Sequence, residues 1–328
     1  MPLLVLYHGN CFDGCASAAL FGRFAGERLG AAEGEIRYRP LQHQQGDPFP
    51  ADAFAAEVVA CVDFRFSPRL HWWFDHHASA FPTPADRAAF EADRSGQKFW
   101  DPKAPSNTGF MARVLAERFD FRAPDLAELV RWADVIDAAR FDSPRTAVEL
   151  AEPALRIMTL LEATKDFALP TRLIEALQRR PLAAVAAEPW VTEPLAPILE
   201  KHRGAIEVVR AHARVRDGVV EIDLGDTTIE SANKFIAYDL FPEASYTVVV
   251  SRDPKRTKVS VGSNPWAPHR RTHDISRICE RYGGGGHPVV GAVTLPPGTL
   301  AEARRIAAEI AGTLRGPSTG AGRAETPV

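Results

Sequence analysis

Residues 71–77, with the sequence HWWFDHH, are the stretch of this chain that decides its fold. The bulky apolar residues before Asp75 predict a buried strand, and the strand would carry Asp75, His76 and His77 at its carboxyl end. Two histidines that enter a core need a metal ion or a hydrogen-bond partner. We therefore interpret them as functional groups and not as two surface histidines.

Two other apolar stretches end in the same kind of residue. Residues 5–8 predict a strand that ends in His8, and residues 61–63 predict one that ends in Asp63. The carboxyl ends of parallel strands meet at one edge of the sheet, where open α/β folds place their sites. Carboxylates mixed with imidazoles suit Mn²⁺, Mg²⁺, iron or Zn²⁺. Asp63, a turn residue in isolation, becomes a candidate ligand that could bridge two ions.

Strand and helix signals alternate through the N-terminal part, which predicts an α/β domain with a doubly wound, mostly parallel sheet over residues 1–145. The predicted order is a helix over 13–30, a strand over 35–42, a short helix over 50–57, a strand over 58–64, and helices over 106–119 and 124–139.

The remaining chain divides into three regions by composition. Residues 146–205 are helical in character and predict a connector, whereas β-like stretches from 206 predict a smaller α+β domain over 206–315. One of those stretches is 227–229. Residues 316–328 are rich in Gly, Pro and Ser, which predicts a disordered tail.

The overall composition is typical of an enzyme-sized soluble chain. The sequence has 328 residues and a net charge of −3, which does not point to nucleic acid or a membrane surface. Its four cysteines lack the spacing of a disulfide framework. Without a signal-peptide pattern or a long apolar stretch, we expect a cytoplasmic protein with no membrane partner. The sequence is also compatible with a homodimer.

Further candidate residues flank these strands. Asp13 follows His8 across a predicted strand-to-helix turn, and Cys11 between them could act as a thiolate ligand. Asp134 follows an apolar helical stretch, so we prefer it as an inward-facing ligand and keep Asp137 in reserve.

A glycine run, Gly283–Gly286, precedes His287 near the start of a predicted strand. It could be a flexible loop, but glycines also let backbone N–H groups approach a phosphate closely. His287 and two arginines would add positive charge. The candidate substrate-binding residues are Gly284, Gly285, Gly286, His287, Arg270 and Arg271.

The order of these motifs resembles the DHH phosphoesterase superfamily. The glycine-histidine motif is similar to that of the C-terminal domain found in its oligoribonucleases, cyclic-dinucleotide phosphodiesterases and RecJ-like exonucleases. The resemblance covers roughly residues 3–140 and 206–296, which is most of the two predicted domains.

The resemblance implies the roles of the candidate residues. Asp13, Asp63, His76 and Asp134 would hold one ion, and His8 with Asp63 the other. His77 would lie near the scissile phosphate, and Asp75 would be a catalytic residue together with it. Mn²⁺ is the expected cofactor, with Mg²⁺ or another divalent metal as the alternative, in one or two ions.

The same resemblance implies hydrolysis of short oligonucleotides, or related small nucleotides, to mononucleotides. The C-terminal domain would bind the rest of the nucleotide, and the cleft between the domains would measure its length. Two alternatives stay open. One is a phosphatase acting on a small phosphate ester or a cyclic nucleotide, and the other is a nucleotide-binding sensor with a degraded metal site.

The chain departs from the family pattern at two places. Family members commonly carry two aspartates in the first motif, but here Cys11 replaces one of them, with Asn10 beside it. This predicts a weakened first metal position. Family members often carry an arginine at about the position where this chain has Gly262. The substrate contact of that arginine would then be made by Arg256, Arg270 or Arg271.

Overall fold

The computed structural model describes residues 2–32, 34–42, 46–50, 52–166, 168–229, 232–269 and 271–316. The chain forms two compact units. The first consists of Met1–Phe141 with Leu150–Ile198, and the second of Asp142–Glu149 with Leu199–Val328. The predicted tail lies outside the described residues, apart from Gly316.

The first unit contains a five-stranded sheet in which all neighbouring strands pair in parallel. The strands are β1 (Leu3–His8), β2 (Ile36–Leu41), β3 (Val58–Val62), β4 (Trp72–Asp75) and β5 (Lys98–Trp100), and their order is β2-β1-β3-β4-β5. The chain changes direction across the sheet at β1 and β3, which is where folds of this order place a site. The predicted parallel α/β sheet is confirmed.

Helices follow the strands of the first unit. They are α1 (Phe12–Arg28), α2 (Pro84–Ala92), α3 (Asn107–Phe119), α4 (Ala127–Asp137), α6 (Pro153–Ala163), α7 (Ala168–Leu177) and α8 (Leu182–Ala186). Helix α5 (Pro144–Glu149) belongs to the second unit, and α9 (Pro189–His212) begins in the first unit and ends in the second. A Cβ on Gly14 would lie 2.2 Å from the His8 carbonyl oxygen. This glycine therefore lets α1 begin directly against the end of β1.

Aromatic residues fill the core beside the sheet. Phe21 and Phe24 of α1 pack edge-on against Trp72 of β4, with ring centroids 5.9 and 5.5 Å apart. Trp73 points to the other face, where Phe66 lies at 4.9 Å and the indole N–H donates to the Phe64 carbonyl. Alternation of side chains along β4 thus buries both faces of the strand, as expected for a parallel sheet covered on both sides.

The second unit contains a six-stranded mixed sheet. Its strands are β6 (Ala213–Arg216), β7 (Val219–Asp223), β8 (Tyr246–Asp253), β9 (Arg256–Ser263), β10 (Gly285–His287) and β11 (Val290–Leu295), in the order β10-β11-β9-β8-β7-β6, with helices α10 (Ile236–Leu240), α11 (Ile275–Glu280) and α12 (Leu300–Arg315). Valines of β8 and β9 pack with the apolar face of α12 in one core. The predicted smaller α+β domain is confirmed.

The structure corrects three predictions of local structure. Residues 146–205 do not form a separate connector, because α6, α7 and α8 belong to the first unit and α7 packs on α1. Outside residue 51, the predicted helix over 50–57 consists of turns and bends, and 227–229 is not a strand. Neither short stretch has the length or the pairing partner that regular structure needs.

Among the described residues, no helix is both long enough and apolar enough to cross a membrane.

Candidate metal centre

Asp63 lies at the centre of the candidate site, one residue beyond β3. Its backbone has φ +56°, a left-handed conformation that Asp tolerates better than most residues. The Asp63 N–H donates to the Phe74 carbonyl at 2.9 Å, which ties this turn to β4. The side chain is 1% exposed. Backbone strain and burial together hold the carboxylate in one position, as is common at functional sites.

The two oxygens of Asp63 face different histidines. Oδ2 lies 3.4 Å from His8 Nδ1, and Oδ1 lies 3.6 Å from His76 Nε2. Among the described residues, neither Asp63 oxygen nor His76 Nε2 has a hydrogen-bond partner. Buried polar atoms are normally satisfied. Their convergence without hydrogen bonds fits a divalent cation, with Asp63 placed to be shared between two ions.

The orientation of His76 is set by a backbone contact. Its Nδ1 donates to the Ala104 carbonyl at 3.0 Å, which leaves Nε2 with a lone pair directed at the carboxylates. Asp137 Oδ2 lies 3.3 Å from Nε2, and Asp13 Oδ2 lies 3.8 Å from it. Ligand atoms of Asp13, His76 and Asp137 lie close enough together to hold one ion.

Asp13 is anchored by the start of α3. Its Oδ2 accepts the Asn107 N–H at 2.7 Å, and its Oδ1 accepts the Thr108 N–H at 2.9 Å and the Thr108 hydroxyl at 2.6 Å. A helix N-terminus stabilises a carboxylate through such groups. Asp13 is 1% exposed, and these bonds keep its carboxyl group positioned beside His76.

The structure favours Asp137 as the candidate metal ligand, whereas the sequence had favoured Asp134. Asp134 Oδ1 accepts the Ser106 hydroxyl at 2.6 Å, whereas Asp137 reaches His76. Both aspartates lie on α4 three residues apart, so they occupy the same face of the helix. Apolar periodicity could not separate them, and we replace Asp134 with Asp137 in the candidate ligand set.

Burial and neighbouring carboxylates raise the pKa of Asp63 and of Asp137. Burial raises the pKa of Asp63 well above its usual range, and Asp13 and Asp75 add to this. Burial and the nearby Asp13 raise the pKa of Asp137 to about 6. Clustered buried carboxylates are unfavourable unless protons or cations compensate their charge. The electrostatics therefore indicate a cation site.

Cys11 lies close to His8 and Asp63. Its Sγ, an oxygen of Asp63 and a ring nitrogen of His8 all lie within 4.8 Å of one another. Burial, followed by the charges of Asp63 and Asp13, raises the pKa of the thiol well above its usual value. The thiol is thus close enough to bind an ion together with His8 and Asp63.

His77 is hydrogen-bonded to Asp75, and its Nδ1 also lies 3.8 Å from Asp63 Oδ1. Its Nδ1 donates to Asp75 Oδ1 at 2.7 Å, and the Trp100 indole N–H donates to the His77 carbonyl at 2.9 Å. The hydrogen bond to Asp75 raises the pKa of His77. Asp75 is buried and also accepts the His76 N–H at 2.9 Å. Asp75 therefore contacts His77 through Nδ1 and orients its imidazole ring.

The glycine-histidine segment of the second unit is a strand and not a loop. In β10, Gly285 pairs with Ala292 and His287 pairs with Val290. A Cβ on Gly286 would lie 2.3 Å from the Val290 carbonyl oxygen, and its φ is +150°. Gly285 has no described heavy atom within 4 Å of its added Cβ. Packing within the protein requires glycine at 286 but not at 285.

A pocket of about 500 Å³ in the second unit is lined by this strand. Gly285, Gly286 and His287 form one side of it, and its lining also includes the cationic residues Arg252, Arg256 and Lys258. Arg256 also pairs with Asp253 at 3.1 Å. The combination of glycine backbone, an imidazole and cations suits an anionic ligand.

The other predicted substrate contacts fall elsewhere. Arg271 donates to the carbonyls of His273 and Pro288 at 2.6 and 3.1 Å, so its guanidinium braces the chain beside β10. Arg270 lies outside the described residues. A Cβ on Gly262 would lie 2.4 Å from the Tyr238 hydroxyl, which leaves no room for an arginine.

Comparisons with solved structures agree with this architecture. The chain is similar to the pGpG-specific phosphodiesterase PggH from Vibrio cholerae, with a TM-score of 0.67 and 18% identity over 94% of this chain and 99% of that one. It is also similar to the DHH domain of a protein described as a member of a ribosomal-protein family, with a TM-score of 0.57 and 14% identity over 94% and 86% of the two chains.

A third similar structure is an exopolyphosphatase-related protein from Bacteroides fragilis, with a TM-score of 0.54 and 13% identity over 95% and 92% of the chains. No protein-family model matches the chain, and no curated protein matches it. The chain has the fold of the DHH phosphoesterases.

Within this DHH fold, the sequence-predicted residues His8, Asp13, Asp63 and His76 converge at one sheet edge. The role of α3 was not predicted from the sequence. Residues 106–108, with the sequence SNT, hold Asp13 and Asp134 by direct hydrogen bonds. The local signal was a helix start at Ser106, since serine is a favoured N-cap, but its partners are distant in sequence.

Proposed function

We propose that the chain is a metal-dependent phosphodiesterase that hydrolyses short oligonucleotides to mononucleotides. The observation that carries this proposal is Asp63, a buried and strained carboxylate whose two oxygens face two separate histidines. Such an arrangement suits a shared ligand between two ions, which is the usual basis of metal-assisted phosphoryl transfer.

Asp13, Asp63, His76 and Asp137 would hold one ion, and His8 with Asp63 would contribute to the other. The first of these sets has three carboxylates and one imidazole, so we propose Mn²⁺ there, with Mg²⁺ as the alternative. When bound, such ions supply an activated water molecule and neutralise charge on the phosphoryl oxygens.

His77 is the proposed proton donor to the leaving oxygen. Asp75 raises its pKa and fixes the ring through the 2.7 Å hydrogen bond at Nδ1, so a proton would be donated from the opposite ring nitrogen. The attacking water gives one proton to solvent and its oxygen bonds to phosphorus, the bond to the leaving oxygen breaks, and that oxygen receives the proton from His77. Asp75 acts through His77 as a positioning residue.

The pocket of the second unit is proposed to bind an anionic portion of the nucleotide. Arg252, Arg256 and Lys258 contribute positive charge, while Gly285 leaves space for close approach. Binding energy away from the reacting phosphate can support rate by positioning the substrate. The name of the similar PggH, specific for the dinucleotide pGpG, supports a short linear substrate.

A hydrolysis panel tests this function. The panel contains RNA and DNA of two to five nucleotides, including pGpG, with cyclic dinucleotides, adenosine 3′,5′-bisphosphate and pyrophosphate, all with Mn²⁺. We expect mononucleotide release from the short linear chains, and none from Asp63→Asn. Preferential cleavage of the bisphosphate or of a cyclic dinucleotide would replace the proposed substrate class. Binding without turnover of any compound would indicate a sensor.

A further inference from the structure

Cys11 occupies the N-cap position of α1, but its side chain does not cap the helix. It precedes α1 in an extended conformation, and its side chain forms no capping hydrogen bond. Serine, threonine, aspartate and asparagine are the residues favoured at this position, and cysteine is not among them. Its Sγ lies instead within 4.8 Å of both His8 and Asp63.

Asp63 provides a second and independent indication of a ligand at this place. It is 1% exposed, and neither of its oxygens has a hydrogen-bond partner among the described residues. The oxygen that faces His8 is at 3.4 Å from Nδ1. Two ligand atoms on one tetrahedral ion with bonds of about 2.0–2.3 Å lie roughly 3.3–3.8 Å apart. The spacing is therefore that of a small coordination site.

The donor atoms on the two sides of Asp63 differ in kind. On one side the donors are a sulfur, an imidazole nitrogen and a carboxylate oxygen. On the other side they are the His76 nitrogen and the carboxylates of Asp13 and Asp137. Thiolate and imidazole ligands favour Zn²⁺ and other borderline ions, whereas carboxylate sets favour Mn²⁺ and Mg²⁺.

We propose that Cys11 is a metal ligand and that the site is heterometallic, with Zn²⁺ at His8, Cys11 and Asp63 and Mn²⁺ or Mg²⁺ on the other side. On this view Cys11 does not weaken the first position but changes its ion. When the sulfur binds, the S–H bond breaks, the proton passes to the buffer and the thiolate electron pair forms the bond to zinc. The proposal rests on the metal-dependent function above, but its tests measure binding alone.

Cobalt is the spectroscopic probe for the sulfur ligand. Addition of Co²⁺ to metal-free protein should produce a near-ultraviolet thiolate-to-cobalt charge-transfer band together with the visible bands of bound cobalt. Cys11→Ser and Cys11→Asp should both lose the charge-transfer band but keep visible bands. We expect Zn²⁺ affinity at this position to fall at least about tenfold in Cys11→Ser, since even outer-shell changes weaken metal binding this much.

Alkylation of the wild-type protein provides a test that needs no variant. Cys11 is half-buried, whereas Cys15, Cys61 and Cys279 are buried, so iodoacetamide should modify Cys11 first. Zn²⁺ should slow this modification at least about tenfold, and Mn²⁺ at the same concentration should not, because a metal-bound sulfur is no longer available and Mn²⁺ prefers oxygen ligands. Mass spectrometry of the peptide that contains Cys11 measures the rate.

Two results would overturn the proposal. One is cobalt binding without a charge-transfer band, and the other is equal protection of Cys11 by Mn²⁺ and Zn²⁺. Both results are independent of hydrolysis. A protein that shows the band and the zinc-specific protection but cleaves nothing in the nucleotide panel would retain this inference and lose the proposed function.

Discussion

The metal-ligand group of the first unit and the glycine-histidine strand of the second unit are built in opposite ways. The candidate ligand group is built around two buried carboxylates, Asp13 and Asp63, each 1% exposed, with His8 and His76 half-buried and Asp137 more exposed. The strand β10 consists of three residues, of which two are glycines, and His287 is exposed beside an open pocket.

The two regions also differ in what holds their residues in place. Two of the candidate ligands have specific supports, the Ala104 carbonyl for His76 and the start of α3 for Asp13. Gly285, by contrast, faces space that no described atom fills. We propose that the first unit supplies the chemistry from fixed side chains and that the second gives access to a ligand. The following changes test this division of roles.

The largest expected effect is that of Asp63→Asn. Asparagine tolerates φ +56°, so this variant should keep the fold, whereas alanine would add backbone strain. We expect hydrolysis to fall at least about 10²–10³-fold, because several kcal/mol of charge stabilisation are lost. Metal addition should no longer raise the melting temperature in a thermal shift assay.

The same variant should be more stable than wild type without metal. Removal of one buried charge from the carboxylate cluster should stabilise the metal-free protein by about 1 kcal/mol, or roughly 2–4 °C. A variant that still gains stability from Mn²⁺ would contradict the assignment of Asp63 as the shared ligand.

Asp137→Asn should weaken Mn²⁺ binding strongly, and Asp134→Asn is its matched control. Asp137 lies 3.3 Å from His76 Nε2, whereas Asp134 contacts Ser106. We expect a loss of Mn²⁺ affinity of at least about tenfold for Asp137→Asn, measured by calorimetry, and a smaller loss for Asp134→Asn, whose amide oxygen still accepts the Ser106 hydroxyl. The reverse ranking would restore the choice made from sequence.

His287→Ala should separate binding from chemistry. Loss of one hydrogen bond to a charged phosphate, about 1.5–3 kcal/mol, should slow dinucleotide cleavage about 10–100-fold. Hydrolysis of bis(p-nitrophenyl) phosphate should stay within about twofold, because this ester needs only the metal centre. Metal content should not change. Equal losses on both substrates would mean that the second unit takes part in the chemistry itself.

The smallest expected effects are on stability within β10. Gly286→Ala should destabilise the second unit by about 1–3 kcal/mol, because its φ is +150° and its Cβ would meet a carbonyl oxygen. Gly285→Ala should change stability by less than about 0.5 kcal/mol. Denaturant unfolding measures both. Comparable losses would show that Gly285 also serves packing, and would remove the steric argument for ligand approach there.

Sequence patterns led to several candidate ligands because these residues lie at the ends of apolar strands. A strand that ends in His8 or Asp63 delivers its side chain to the carboxyl edge of a parallel sheet, so the order of strands places the ligands. The sequence was less informative about helices. Asp134 and Asp137 share one helical face, and only contacts with Ser106 and His76 distinguish them.

Local patterns were enough to predict three apolar strands that carry carboxylates and imidazoles to one edge, because strand periodicity and chain order are local properties. The folded chain was needed to show that Asp63 has one oxygen toward His8 and the other toward His76, that Cys11 lies beside it, and that residues 106–108 anchor Asp13. These relations join residues far apart in the chain. They depend on backbone conformation and packing, which no local pattern encodes.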